Sequence, residues 1–361
     1  MQQLKIAFKL PAMVMAIALL AGASVGLAAY ISSSATVTQQ AEQRLTAAAE
    51  NATTVLSAYL AEVGADLTLF AGRADTASAI DQLSAAMTGL AAGGDATEQL
   101  QNAYIVQNPH PAGDKLLLDA SDQLPGYDQG HAQVHPDLRS LLLSRGYYDI
   151  FLFDGDLNAV YTVYKEADFA TNFAEGGGPW SASALGVMAR AALASPAGTI
   201  VLSDFEPYAP SAGAQASFMA TPVYVGGSVR GVMAVQLPTE RIDAVLARVR
   251  GLGETGAVLL IGPDGMVHNN SPLTEGIEAG IPALQGAVIT AALGGATGLG
   301  RVEHADGSIS VAAAEPMAFA GVDWALVALE SQAAIAAPAT DLGRTNLLIG
   351  GVMLAVAAVA S

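Results

Sequence analysis

The stretch YYDIFLFDGDLNAVYTVYK, residues 147–165, decides the fold of this chain. Two runs rich in aromatic and β-branched residues flank an Asp-Gly turn at Asp154, which is typical of a β-hairpin. The same order of strand, Asp-Gly turn and strand returns in GAVLLIGPDGMVHNN, residues 256–270, with its turn at Asp264. The sequence therefore predicts two copies of one structural unit.

Each hairpin is followed by a predicted helix and three further strands. The helix is 181–195 in the first copy and 281–294 in the second, and a helix over 239–250 leads into the second copy. Short turns between the strands predict antiparallel pairing. The predicted fold class is α+β, with two tandem PAS-like antiparallel five-stranded sheets. The further strands are 198–205, 216–225 and 229–237 in the first copy, and 298–305, 308–317 and 324–331 in the second.

The composition restricts the class of protein. The chain has 361 residues, 52% of them hydrophobic and 13% charged, and a net charge of −18. Nonspecific nucleic-acid binding needs basic patches, and the longest basic cluster is only Arg248 with Arg250, so no nucleic-acid partner is expected. The chain has no cysteine, so it offers neither a disulfide framework nor a thiolate metal site.

An uncharged run of 22 residues, 10–31, lies near the N-terminus. A hydrocarbon core about 30 Å thick needs about 20 helical residues, so this run predicts transmembrane helix 1. Lys5 and Lys9 precede the run, which places residues 1–9 in the cytoplasm. The alternative is a cleaved signal peptide, but the apolar core of such a peptide is about 7–15 residues long. The length of the run favours a membrane anchor.

A second apolar run, 347–360, has 14 residues, which is too short to span a bilayer. It is either a buried terminal helix or the start of a second transmembrane helix over 345–361 that the sequence cuts short. The sequence favours the second alternative. Residues 32–345 would then form an extracytoplasmic loop that returns to the membrane close to where it left.

Residues 34–90 contain no proline, and their apolar residues recur at spacings of three and four, which predicts one face of a helix. We expect a long periplasmic helix over 32–92 that continues from the membrane helix. The row of apolar residues along this helix, here called the stripe, packs against the next domain, forms a dimer seam, or does both at different positions along the helix. The stripe contains Leu56, Leu60, Val63, Leu67 and Phe70, and the seam would add Leu45, Ala49 and Ala52.

Other motif-like patterns do not predict catalysis. GLGETG, residues 251–256, has the glycine spacing of a dinucleotide-binding motif, but that motif follows a strand and opens a helix, and here the order is reversed. His131 and His135 lie four apart, but Pro136 and the polar, proline-rich region 106–137 predict irregular structure, so a zinc site is not expected. We therefore expect no catalytic residue, no metal and no cofactor.

These elements together resemble the double Cache (dCache) sensor region of bacterial transmembrane receptors. Five blocks look like those of a subgroup found in methyl-accepting chemotaxis proteins. The resemblance covers residues 10–360. It implies a membrane-distal subdomain at 93–238, which binds a small ligand, and a membrane-proximal subdomain at 239–340. The blocks are YYDIFLFD (147–154), VYTVYKEADFATN (160–172), DFEPYAPS (204–211), GVMAVQLP (231–238) and LGETGAVLLIGPDG (252–265).

The resemblance implies a signalling function without enzymatic activity in this portion. The expected protein is a homodimeric chemoreceptor that reaches cytoplasmic chemotaxis partners through a further C-terminal region. One alternative is the sensor region of a histidine kinase or nucleotide cyclase, and another is a membrane-tethered binding protein. The Tyr-Arg-Trp-Tyr-Asp motif of amino-acid sensors is not matched, because no suitable arginine lies near Trp180. The choice between an amino acid and a carboxylate ligand therefore stays open.

Two of the blocks, VYTVYKEADFATN and DFEPYAPS, place aromatic residues beside charges at predicted strand ends, which suits a small polar ligand. Lys165 could hold a carboxylate, and Asp168 or Asp204 an amine. The alternative is that Lys165 pairs with Glu166 or Asp168 on a solvated loop and that the tyrosines are ordinary core residues. The candidate ligand-binding residues are Tyr148, Tyr161, Tyr164, Lys165, Asp168, Asp204, Phe205 and Tyr208.

Overall fold

A computed structural model of the chain describes residues 6–271, 277–282, 284–304 and 306–360. Lys5 and Ser361, which enter the membrane predictions, lie outside these ranges. The helices are α1 (Ile6–Ala71), α2 (Ala74–Ala91), α3 (Ala96–Gln101), α4 (Pro125–Arg145), α5 (Ala184–Leu193), α6 (Thr239–Leu246), α7 (Ala287–Leu293) and α8 (Gln332–Ala360). The strands are β1 (Asp149–Asp154), β2 (Ala159–Thr162), β3 (Val201–Leu202), β4 (Glu206–Tyr208), β5 (Ala214–Val225), β6 (Ser228–Pro238), β7 (Ala257–Ile261), β8 (Gly298–Glu303), β9 (Ile309–Phe319) and β10 (Val322–Ser331).

The first helix can cross a membrane. The part Leu20–Ala71 contains an 18-residue window that is long and apolar enough, and no residue of that window is buried. Such a surface is stable in lipid rather than in water, as predicted for 10–31. At the other end, α8 includes the second apolar run, where Leu347 and Leu348 are exposed. A second membrane crossing stays a prediction.

The predicted helix over 32–92 is divided in the structure. The first helix ends at Ala71, and α2 begins at Ala74 after an extended Arg73. The hydroxyl of Thr76 donates to the carbonyl of Phe70 at 2.7 Å, so a side chain replaces a backbone donor at the end of α1. This bond favours a turn over one continuous helix.

The stripe on α1 is a packing face. Leu45, Ala49 and Ala52 are fully buried within the single chain, as are Leu56 and Leu60. The helix packs them against β5, β9 and β10 and against α8. A dimer seam built on Leu45, Ala49 and Ala52 is therefore wrong, because the chain's own sheets already cover these side chains.

The first sheet has the strand order β2-β1-β6-β5-β3, and β4 also pairs with β5. All its pairings are antiparallel, as predicted. The sixth strand arises because the predicted strand 198–205 is interrupted: the Ser203 hydroxyl accepts the N–H of Phe218, and β4 continues only from Glu206. We call residues 74–238 the distal lobe.

The second sheet, in the part of the chain that the structure describes, has four strands in the order β7-β10-β9-β8. The fifth predicted strand, after the turn at Asp264, makes only isolated bridges, including Ile261 with Val267. We call residues 239–331 the proximal lobe. The two lobes repeat one antiparallel plan with different edges, which confirms the doubled unit and corrects the strand count.

Helix α4 lies where the sequence predicted irregular structure. Pro125 occupies the first turn, where a missing N–H costs little, and Pro136 lies on the exposed face. The opposite face buries His131, His135 and Leu138 against the distal lobe. Burial of this face offsets the cost of an internal proline, so the two histidines do lie on one helical face.

The end of α4 is fastened to α1 through Asp66. The Tyr147 hydroxyl donates to Asp66 Oδ2 at 2.8 Å, and Arg145 Nε lies 2.8 Å from the same oxygen. We expect Tyr147→Phe to lower the free energy of unfolding by about 1 kcal/mol, since Arg145 still pairs with the carboxylate. Urea unfolding of the full chain in detergent micelles measures this change. Tyr224→Phe, at a partly exposed hydroxyl, is the control, and equal shifts in both variants would contradict the prediction.

Candidate functional site

The site begins with two polar side chains on an apolar face of the first sheet. Asp149 starts β1 and is the register partner of Gln236 on β6, so the two side chains lie on the same face. Both are buried, and the same face carries Phe151 and Phe218. Burying polar groups in such a place is costly unless they are hydrogen-bonded, so their partners identify what the site can do.

The segment after β2 is held against the start of β1 by one carboxylate oxygen. Asp149 Oδ1 accepts the backbone N–H groups of Ile150, Val163 and Tyr164 at 2.7, 2.8 and 2.9 Å. The chain then passes through Lys165 with a left-handed φ of 60°. This conformation is unfavourable for a residue other than glycine, and the hydrogen bonds to Asp149 stabilise it.

Three acceptor oxygens are left buried without a donor. Asp168 Oδ2 accepts from the Tyr208 hydroxyl at 2.7 Å, but Asp168 Oδ1 has no partner among the described residues. The same holds for Asp149 Oδ2 and Gln236 Oε1. Unsatisfied buried acceptors are rare and costly, so an added N–H donor at any of these three oxygens would stabilise the lobe.

A hydrogen-bonded bridge crosses the same part of the lobe. Glu166 accepts from the Tyr148 hydroxyl at 2.9 Å and from the Ser211 hydroxyl at 2.8 Å. Ser211 in turn accepts from Gln236 Nε2 at 3.2 Å. The rings of Tyr148 and Tyr164 are stacked, with centroids 5.0 Å apart. Through these hydrogen bonds, Glu166 in the loop after β2 is connected to Ser211 after β4 and, through Ser211, to Gln236 on β6.

Two surface clefts meet at this bridge. A cleft of about 280 Å³ is lined by Tyr164, Lys165, Glu166 and Pro210 among others. A wider groove of about 640 Å³ is lined by Tyr148 and Tyr164, and the two share Tyr164. The smaller cleft leads from solvent to the Glu166 bridge and is of a size for a small molecule.

Burial controls the charge of the carboxyl groups. Burial raises the pKa of Asp168 to about 7, although the hydrogen bond from Tyr208 opposes the shift. Burial also raises the pKa of Asp149 well above its usual range, and the nearby charge of Asp168 adds to the effect. Asp168 therefore exchanges a proton near neutral pH. A positive charge brought beside either carboxyl would favour its ionised form.

Lys165 is buried on the opposite side of the sheet, in an aromatic box. Its Nζ lies 4.5, 5.1 and 5.7 Å from the ring centroids of Tyr161, Phe169 and Tyr104, and it donates to the carbonyl of Thr162. Burial lowers the pKa of Lys165 to about 7, while the charge of Asp149 raises it. The solvated-loop interpretation of Lys165 is therefore wrong, because its ammonium group is buried among aromatic rings.

Neutral histidines form one wall of this box. His135 Nε2 donates to the carbonyl of Leu116 at 2.6 Å, so its Nδ1 accepts from the Tyr161 hydroxyl at 2.7 Å. Burial, with the charge of Lys165 as the second cause, lowers the pKa of His135 to about 3. The His131 ring stacks on His135 with centroids 4.4 Å apart. The four-residue spacing of His131 and His135 is that of one helical face, but Pro136 argued against a helix in the sequence.

Asp204 and Phe205 lie elsewhere. Asp204 Oδ1 accepts from Trp324 Nε1 at 2.7 Å, and the ring of Phe205 packs against His268 with centroids 5.3 Å apart. Both partners belong to the proximal lobe. The structure therefore brings together Tyr148, Tyr164, Asp168 and Tyr208 of the candidate residues, keeps Tyr161 and Lys165 behind the sheet, and places Asp204 and Phe205 at the junction between the lobes.

The sequence interpretation missed Asp149, Gln236, Glu166 and Ser211 as site residues. Asp149 and Gln236 are single polar residues in otherwise apolar strands, within YYDIFLFD and GVMAVQLP. A polar residue at a buried strand position is the signal that could have identified them, because the interior tolerates it only with a partner or a function.

No protein-family model matches the chain, and no curated protein sequence matches it. Among solved structures, the chain is similar to the ligand-binding domain of the Pseudomonas fluorescens chemoreceptor CtaA in complex with L-serine, at 16% identity and a TM-score of 0.36, covering 71% of this chain and 93% of that one. It is also similar to the ligand-binding domain of the Pseudomonas aeruginosa amino acid chemoreceptor PctC in complex with GABA, at 18% identity and a TM-score of 0.36, covering 76% and 98%.

A third similar structure is the sensor domain of the V. cholerae histidine kinase DctB, at 14% identity and a TM-score of 0.39, covering 71% of this chain and 95% of that one. These three similar structures are thus sensor domains of two chemoreceptors and of a histidine kinase. Because these TM-scores lie below 0.5, we infer the ligand of this chain from its own residues.

Proposed function

We propose that this chain is the sensor region of a bacterial transmembrane receptor and that it binds a small molecule with a primary amine in the distal lobe. The observation that carries the proposal is the set of three buried acceptor oxygens without donors, on Asp149, Asp168 and Gln236. An ammonium group carries three N–H donors and one positive charge. It therefore matches both the hydrogen-bonding deficit and the charge of this site.

The neighbouring residues define how the ligand enters. The cleft of about 280 Å³ ends at Glu166, whose two oxygens are occupied by Tyr148 and Ser211. A ligand that enters here exchanges these hydrogen bonds for its own. Two arrangements of the bridge, one with the ligand and one without it, give the receptor the two states that a sensor needs, and the ligand shifts their populations by its differential affinity.

The lobe is connected to the membrane helices by two routes. Tyr147 bonds Asp66 on α1, and Asp204 bonds Trp324 on β10, after which α8 begins directly. The two terminal helices pack together, with the ring of Tyr30 close enough to touch a Cβ at Gly343 at 3.3 Å. A change in the distal lobe therefore has a packed path to α1 and α8.

The proposed location is the bacterial inner membrane, with both lobes in the periplasm. Lipid would surround the apolar part of α1, and the protein partner would be a second copy of the chain. We propose chemotaxis as the output, through cytoplasmic chemotaxis partners, with a histidine kinase or nucleotide cyclase output as the second candidate. The third candidate is a membrane-tethered binding protein. It would bind the same ligand but would not need to transmit a change from the distal lobe to α1 and α8. No catalytic role is proposed for the residues of this portion.

A thermal-shift screen of the full chain in detergent micelles tests the ligand class. Each small amine is paired with its deaminated analogue, for example γ-aminobutyrate with butyrate. We expect at least one amine to raise the melting temperature and its deaminated analogue to have no effect. If the stabilising compounds are carboxylates without an amine, the assignment of the acceptor site as the ligand site is wrong.

The affinity for the amine should rise with pH. Because the pKa of Asp168 is about 7, its carboxyl is mostly protonated at pH 6 and mostly ionised at pH 8. An alkylammonium ligand keeps its charge over this range, so we expect binding to be about tenfold tighter at pH 8 than at pH 6. Isothermal titration calorimetry at the two pH values measures the ratio, and a ratio near one would show that Asp168 does not pair with the ligand.

A further inference from the structure

A second group of ligating side chains lies at the junction between the lobes, apart from the amine site. Asp204 comes from the segment between β3 and β4 of the distal lobe, and Asp264 and His268 come from the turn after β7 of the proximal lobe. His268 Nε2 lies 2.9 Å from Asp204 Oδ1 and 3.9 Å from Asp264 Oδ1. The three ligand atoms all lie within 4.8 Å of one another.

His268 is fully buried and aimed into this group. Although its Nε2 lies close to Asp204, it makes no hydrogen bond of acceptable geometry with a described residue, and neither does Nδ1. The ring is fixed by its neighbours, since it packs against Phe205 and Trp324 at centroid distances of 5.3 and 6.5 Å. A buried imidazole in contact with two carboxylates but without a hydrogen bond is a group in need of another partner.

Position 262, in the backbone beside this group of side chains, has room only for glycine. A Cβ at Gly262 would lie 2.0 Å from His268 Nε2 and 2.8 Å from Asp264 Oδ1. Gly262 therefore lets the imidazole and the turn approach each other closely. Trp324 holds Asp204 through its indole N–H at 2.7 Å, as residues around a metal centre commonly hold the ligating carboxylate.

The distances agree with a divalent cation. Zinc–nitrogen and zinc–oxygen bonds of about 2.0–2.2 Å in tetrahedral geometry place ligand atoms about 3.4 Å apart. The two separations from His268 Nε2, 2.9 Å to Asp204 and 3.9 Å to Asp264, lie on either side of this value. One imidazole and two carboxylates are a donor set suited to zinc or a similar divalent transition metal.

We propose that Asp204, Asp264 and His268 bind a divalent transition-metal ion such as Zn²⁺ and that this ion ties the distal lobe to the proximal lobe. The three side chains leave at least one coordination position to solvent, on the side of the partly exposed Asp264. The site is independent of the amine site, since the two share no residue. It lies on the Asp204–Trp324 route between the lobes, so the bound ion would stiffen that route.

Tryptophan fluorescence provides the test. The chain has two tryptophans, so Trp180→Phe leaves Trp324, beside Asp204, as the only tryptophan, and its emission is selected by excitation that tyrosine does not absorb. The full-length variant in detergent micelles is freed of metal with a chelator and then titrated with Zn²⁺ alone. We expect a saturable change in Trp324 emission at a stoichiometry of about one ion per chain, and a Zn²⁺-dependent rise in melting temperature.

Matched variants at two Asp-Gly turns separate a site from nonspecific binding. Asp264→Asn keeps the acceptor for the N–H of Met266 and removes a metal ligand. Asp306→Asn makes the same change at an Asp-Gly turn where the nearby histidine, His304, is already bonded to Ser310. We expect Zn²⁺ to bind at least about tenfold more weakly to the first variant and unchanged to the second. Equal affinities, or no response of Trp324 to Zn²⁺, would overturn the proposal and leave the Asp204–Trp324 hydrogen bond without a metal beside it.

Discussion

Asp168→Asn is expected to weaken binding of a small amine at least about 100-fold while it makes the ligand-free chain more stable. Removing one partner of a buried charge pair costs about 3–5 kcal/mol, and 3 kcal/mol corresponds to more than 100-fold in affinity. The asparagine carbonyl still accepts from Tyr208, so the surrounding lobe keeps its main contact. The loss in binding then reports the missing negative charge.

The gain in stability follows from the pKa of the carboxyl. Burial raises the pKa of Asp168 to about 7, so the folded state holds a proton that the unfolded chain releases near pH 4. The contribution of Asp168 is therefore favourable at acidic pH and is lost as the pH rises from about 4 to about 7. A neutral asparagine removes this loss, and we expect a gain on the order of 4 kcal/mol at pH 8 and little gain at pH 4.

Calorimetry for binding and urea unfolding for stability, both on the full chain in detergent micelles, measure the two effects. Asp156→Asn is the control, because it changes an exposed carboxylate of the same lobe. A residue that binds the ligand should lose affinity and gain stability when it is replaced, whereas a purely structural residue should lose stability. Should Asp168→Asn weaken both folding and binding, or leave binding at the value of the control, Asp168 would not be the ligand's counter-ion.

The hairpins, the doubled unit and the first membrane-compatible helix could be predicted because each is encoded locally. Alternating apolar residues around an Asp-Gly turn specify a hairpin without information from the rest of the chain. Helix α4 could not be predicted in this way, because Pro136 opposes a helix locally and only the burial of His131 and Leu138 in the distal lobe outweighs it. Tertiary packing there overrides propensity.

The candidate site could be predicted only in part, because local sequence identifies single residues but not the distant residues that contact them in the fold. The strand-end block after β2 contains Asp168, but its partner Tyr208 lies 40 positions away and meets it only in the folded sheet. Asp204 and Phe205 have the same local composition of an acid beside an aromatic ring, yet they pack against Trp324. Residue types at strand ends identify polar positions, but only the sheet order determines which of them meet.

Lys165→Met is expected to remove a large pH dependence of stability. Burial lowers the pKa of Lys165 to about 7 from 10.5, with Asp149 opposing the shift. The stability of the folded state associated with Lys165 is therefore present at high pH and is lost as the pH falls from about 10.5 to about 7. Between pH 7 and pH 10 the wild-type chain should gain on the order of 3 kcal/mol from this group.

Methionine fills a similar volume in the box of Tyr104, Tyr161 and Phe169 and does not titrate, so the gain between pH 7 and pH 10 should be absent in Lys165→Met. The difference between the urea-unfolding free energies of variant and wild type at each pH cancels the titration of groups that do not interact with Lys165, and leaves that of Lys165 with its neighbour Asp149. Lys115→Met, a change outside the box, should leave the wild-type slope unchanged. Parallel pH profiles for Lys165→Met and the wild type would mean that the Lys165 side chain leaves the aromatic box in solution, because a solvated ammonium group titrates alike in the folded and unfolded chain.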